Sequence, residues 1–72
     1  MKTIDQLALR ATRTSQLLSE IQTSIMENTE GKSKLEALKA VQDAKEHIRD
    51  SYYRLGLMAG SSEEAAIVAG IV

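Results

Sequence analysis

The chain has 72 residues, nine Lys or Arg against ten Asp or Glu, a net charge of −1, and no Cys, Pro, Phe or Trp. That length holds one domain, and the absence of Cys removes disulfides, thiolate zinc sites and a Cys nucleophile. The near-balanced charge, with a pI of about 5.7, argues against a general nucleic-acid binder and against a polybasic membrane anchor.

Tyr52 and Tyr53 are the only aromatic residues, so the core must be built from Leu, Ile, Val, Met and Ala. Such a core suits close helix packing, and four Gly with no Pro leave little turn chemistry for a β fold. The expected class is all-α. A chain this short buries little surface, and self-association is the remaining remedy once disulfides are gone. Lys2, Asp5, Arg10 and Arg13 interrupt the first apolar pattern, which does not read as a signal peptide. The longest apolar run, Ala65 to Val72, is far below the roughly 20 residues needed to span a bilayer. A cytoplasmic protein is the expectation.

Three capping-box patterns punctuate the chain: Thr3 with Gln6, Ser33 with Glu36, and Ser61 with Glu64. In each, the hydroxyl can accept from a backbone N–H three residues on, and the Gln or Glu can return the bond. Residues 1–72 therefore read as a single domain with helices over about 4–28, 34–59 and 62–70.

The first helix carries Ile4, Leu7, Ala11, Thr14, Leu18, Ile21 and Ile25 in alternating steps of three and four, an a/d seam. Asn28-Thr29-Glu30-Gly31 breaks the pattern, and Gly31 can take φ > 0 there. A connection this short makes the second helix an antiparallel neighbour. On that helix Val41, Ile48 and Leu55 form one row, with Ala37, Ala44, Ser51 and Met58 on one flank and Leu38, Lys45, Tyr52 and Ala59 on the other. The small flank offers close approach to a partner helix. Lys32/Glu36, Lys39/Asp43 and Asp50/Arg54 are spaced for i,i+4 pairs. Gly60 is a natural C-cap, and Gly56-x-x-x-Gly60 reads either as helix termination or as a close helix contact. The apolar tail after Glu64 reads as a short third helix or an arm that must cover the hairpin or a neighbouring copy. The architecture expected is an antiparallel helical hairpin with a short C-terminal helix or arm, assembling as a homo-oligomeric bundle.

Several motifs carry little chemistry. Gly31-Lys32-Ser33 ends like a P-loop, but Met26 stands where that loop needs Gly, and Glu27 and Glu30 would repel phosphate. His47 shares a helical face with Asp43 and Asp50, and one His with exposed carboxylates is a poor metal site. Ser51, His47 and Asp50 lie on a single helix with no oxyanion hole. No catalytic residue, metal site or cofactor is expected. Tyr52 falls near the apolar face, as a core or interface residue would. Tyr53 points elsewhere, flanked by Arg49 and Arg54 with Lys45 one turn before Arg49. A Tyr beside cations can stack a nucleobase and hold phosphates. Arg10 and Arg13 form a second cationic patch, and Leu9 and Met26 are apolar where the heptad expects solvent.

Ala44, Lys45, His47, Ile48, Ser51, Tyr52 and Leu55 follow the order Ala, basic, His, aliphatic, small, aromatic, aliphatic. This stretch resembles the second helix of a family of phage helical-hairpin proteins that counter the bacterial CBASS and Thoeris defences by sequestering nucleotide signals. The resemblance covers the second helix only. It implies a homo-oligomer, a hexamer in the first instance, that binds cyclic di- or trinucleotides at subunit interfaces and cleaves nothing. The chemistry of the cations and tyrosines fills in the site expected here: Arg49 and Lys45 on phosphates and Tyr53 or Tyr52 on a base, with Arg10 or Arg13 of a second protomer completing it. The rival expectation is a homodimeric helical-hairpin module that inhibits or escorts a protein partner, with Leu9 and Met26 serving helix-in-groove contacts.

Overall fold

The computed structural model describes residues 2–72 as three helices, α1 (Thr3–Asn28), α2 (Gly31–Ala59) and α3 (Ser62–Ile71). The described residues contain no strand, so the all-α expectation holds. Each helix contacts the other two, and the molecule measures 43 × 18 × 12 Å.

The helix boundaries follow local hydrogen bonding. α1 is capped by backbone alone: the Asp5 and Gln6 N–H groups both donate to the Lys2 carbonyl, at 3.0 and 3.2 Å. Thr3 sits inside the helix, so the box expected from Thr3 and Gln6 does not form. At the far end the Asn28 side-chain amide donates to the Ser24 carbonyl at 2.8 Å, and Thr29 leaves the helix with extended backbone. α2 starts at Gly31, three residues before the expected Lys34, and the Ser33–Glu36 box is absent. Gly31 has φ +60, a left-handed conformation that turns the chain straight into the helix before Ser33 can act as a cap. The third box is present in full: Ser61 Oγ accepts from the Glu64 N–H and Glu64 Oε1 accepts from the Ser61 N–H, both at 3.2 Å. Lys32–Glu36 and Asp50–Arg54 form ion pairs at 3.9 and 3.2 Å. Lys39 and Asp43 make none among the described residues, and exposed pairs of this kind contribute little.

The core is small and α3 supplies most of it. Ile4, Ala11, Leu18, Ala65, Val68, Ala69 and Val72 are the buried hydrophobic residues, and the last four belong to α3 or end it. Leu7, Ala8, Val41, Ile48, Tyr52, Ala59 and Ile71 pack around the central cluster. The apolar tail is thus a helix that covers α1 and α2 of its own chain.

The two glycines near the end of α2 divide the roles that the sequence left open. Gly60 is the C-cap, its N–H donating to the Gly56 carbonyl at 2.8 Å. Gly56 is buried against α3, where a Cβ would lie 2.6 Å from the Ala65 Cα. The close contact therefore joins two helices of the same chain.

Part of the expected seam is open. Ile21 stays exposed, as do Leu55 of the central α2 row and Ala44, Ser51 and Met58 of the small flank. The half-buried face of α2 is the Leu38, Lys45, Tyr52 and Ala59 flank together with Val41 and Ile48. α3 has ten residues against 26 in α1 and 29 in α2, so it is too short to cover the full length of either.

Candidate functional site

A cleft of about 210 Å³ opens between α1 and α2, lined by Arg10, Arg13, Thr14, Leu17 and Tyr52. Helical spacing puts Arg10, Arg13, Thr14 and Leu17 on one side of α1, because residues three, four and seven apart stack along one ridge. Tyr52 reaches them from α2.

A hydrogen-bond chain fixes the floor of the cleft. Thr14 Oγ1 donates to the Arg10 carbonyl at 2.9 Å and lies 2.9 Å from the Tyr52 hydroxyl. A threonine hydroxyl has one proton. With that proton on the Arg10 carbonyl, Tyr52 is the donor and Thr14 the acceptor between the two side chains. The Tyr52 hydroxyl therefore keeps only acceptor capacity for anything else. Tyr52 is half-buried and belongs to the packing around the core cluster.

Arg10 and Arg13 are exposed, and neither makes an ion pair among the described residues. Two unpaired guanidinium groups beside an aliphatic wall and a phenol present a fork geometry suited to phosphate oxygens, with an apolar surface for a ring next to it.

The six anticipated binding residues fall into two groups. Arg10, Arg13 and Tyr52 meet in the cleft, within one chain, so a second protomer is not needed to bring the arginines to Tyr52. Lys45, Arg49 and Tyr53 step four residues at a time along another ridge of α2. On that ridge Lys45 is half-buried, whereas Arg49 and Tyr53 are exposed. Thr14 and Leu17 were not anticipated as lining residues. The signal was in the sequence: Thr14 is the polar residue in a seam otherwise made of aliphatic side chains.

His47 is exposed, and its carbonyl accepts from Ser51 Oγ at 3.1 Å. That hydroxyl is committed to the helix backbone. No group of three His, Cys, Asp or Glu able to hold a metal ion occurs among the described residues, and no described helix is long and apolar enough to cross a membrane. A second hollow, about 160 Å³, is lined by Ile4, Asp5, Ala8, Glu64, Ile67 and Val68 where α3 meets α1. No family model, curated protein or solved structure matches the chain.

Proposed function

We propose that the protein is a non-enzymatic binder of small phosphorylated nucleotides, and that cyclic di- and trinucleotides are its class of ligand. The observation that carries this reading is the pair of unpaired arginines, Arg10 and Arg13, on the cleft that Tyr52 and Leu17 complete. Phosphate is the ligand chemistry that such a pair recognises best. A cleft of about 210 Å³ is smaller than the roughly 300–1,000 Å³ of sites that enclose a drug-sized ligand. It takes one phosphate and the edge of one ring, and the rest of the ligand lies outside it.

In this reading α1 and α2 form an antiparallel hairpin. Support comes from the two-residue link Thr29-Glu30 and from a longest dimension of 43 Å, which matches the roughly 44 Å that α2 alone spans at 1.5 Å per residue. The ligand is held and not transformed. The Thr14 proton is engaged with a carbonyl, and a guanidinium does not serve as a general base at neutral pH. A protein of this kind lowers the free concentration of a signal. In the phage setting that the resemblance implies, it blunts the host defence which that signal triggers.

Isothermal titration with cyclic dinucleotides and cyclic trinucleotides tests the reading. Saturable heat with at least one of them is expected. No heat at the highest soluble protein concentration overturns it.

Exposed Leu9, Met26 and Leu35 favour a second reading, a module that docks on a protein. Recovery of one stoichiometric protein partner, with no nucleotide retained, would put that reading first.

A further inference from the structure

The cleft between α1 and α2 has a fixed hydrogen-bond polarity. Thr14 Oγ1 lies 2.9 Å from the Arg10 carbonyl oxygen and 2.9 Å from the Tyr52 hydroxyl. A carbonyl has no proton to give, and two oxygens this close repel unless a proton lies between them. The single Thr14 proton therefore points at Arg10. The Tyr52 proton is then spent on Thr14, and the phenol makes no other hydrogen bond among the described residues. What Tyr52 offers the cleft is a lone pair. Arg10 acts at both ends of this arrangement. Its carbonyl orients the Thr14 hydroxyl, and its exposed guanidinium is one of the two groups that take the phosphate.

Resting on the nucleotide reading, we infer that Tyr52 selects ligands that bring an N–H or O–H donor into the cleft beside the phosphate. Each lining group has one role. The guanidinium groups of Arg10 and Arg13 can only donate and take phosphate oxygens. Leu17 takes the face of a ring, and Tyr52, which can only accept, takes a hydrogen. Such a cleft discriminates by the direction of each bond as well as by shape. A ligand group that can only accept sets its lone pairs against those of Tyr52. The position is half-buried, so water is poorly placed to relieve that clash. In a nucleotide the donor comes from the ribose 2′-hydroxyl or from an exocyclic amine on the base edge. Cyclic di-AMP and cyclic tri-AMP carry both.

Titration calorimetry with these two nucleotides tests the selection, alongside analogues in which either the 2′-hydroxyls or the adenine amines are replaced by methoxy groups. A methoxy oxygen accepts but does not donate. With the unmodified protein, the analogue altered at the group that meets Tyr52 is expected to bind about tenfold or more weakly than its parent. The other analogue should bind about as well as the parent, and the pattern names the donor. Tyr52→Phe removes the lone pair, and Thr14→Val frees the Tyr52 proton to turn into the cleft. Each is expected to bring the ratio of parent to analogue affinity close to one. A purely structural effect would weaken parent and analogue alike and leave the ratio unchanged. A ratio unchanged in either variant, or two analogues that both bind as tightly as the parent, overturns the inference and leaves the nucleotide reading standing. Failure of both adenine nucleotides to bind also overturns it, whereas the nucleotide reading falls only if cyclic nucleotides of every base fail.

Discussion

A methyl group added at Gly56 would lie 2.6 Å from the Ala65 Cα and 2.9 Å from its Cβ, so α2 and α3 touch with no room for any other residue at position 56. The nearer obstacle is backbone and cannot rotate aside. Gly56→Ala is therefore expected to destabilise the protein by about 1–3 kcal/mol through overpacking, outweighing the roughly 1 kcal/mol that Ala gains over Gly in a helix interior. At Gly60 the added methyl would meet only the carboxylate end of Glu64, which is flexible. Thermal melts followed by circular dichroism check the pair: Gly56→Ala should lower the midpoint by more than Gly60→Ala does.

The hydrogen bond between Tyr52 and Thr14 joins α2 to α1 at 2.9 Å in a half-buried position. Tyr52→Phe is expected to cost about 0.5–1.5 kcal/mol. Thr14→Val should cost a similar amount, and the double variant less than the sum, because each single change already breaks the shared bond. Urea denaturation of the four proteins measures the coupling; additivity within error would mean that the bond contributes nothing.

Ser61 caps α3 through the reciprocal bonds with Glu64. Ser61→Ala removes the acceptor for the Glu64 N–H and is expected to cost about 0.5–2 kcal/mol. Ser33→Ala, at the box that does not form, should change stability by less than about 0.5 kcal/mol. Equal losses at the two serines would contradict the capping described for α3.

Nucleotide binding should separate the two groups of cations. Arg10→Ala and Arg13→Ala are each expected to weaken affinity for a bound cyclic nucleotide by about tenfold or more, the worth of a charge-assisted hydrogen bond. Arg49→Ala should have a small effect, and affinity should fall as salt rises. Titration calorimetry that instead finds the loss at Arg49 would move the site to the Lys45, Arg49 and Tyr53 ridge.

The helices were legible in the sequence because their signals are local. Apolar steps of three and four, the Ser61–Glu64 box and the glycines at 31 and 60 mark α1, α2 and α3 to within a few residues. The pattern could not rank competing caps. Thr3 and Ser33 satisfy the same spacing as Ser61, yet Lys2 starts α1 with backbone bonds, and the positive φ of Gly31 starts α2 before Ser33 is reached. Tertiary pairing was less visible still. Which α2 flank meets α1 depends on where α3 docks, and α3 meets α2 through a small-residue contact, Gly56 on Ala65, that lies 35 and 44 residues along the chain from the exposed Ile21. The cleft was half legible: Arg10, Arg13 and Tyr52 stood out as chemistry, but their meeting depends on the bond to Thr14 across the two helices.

Burial of Val68 and Val72 against Ile4 and Leu18 has a kinetic consequence. These partners lie far apart along the chain, so the last piece of the core forms only after a long loop has closed. Assembly should thus begin with the locally connected α1 and α2 and finish with α3, slower than a bundle whose contacts are all between neighbouring segments. The reverse step governs fluctuation: the amides of α3 should exchange with solvent as one group, through release of that helix, ahead of the amides at the middle of α1.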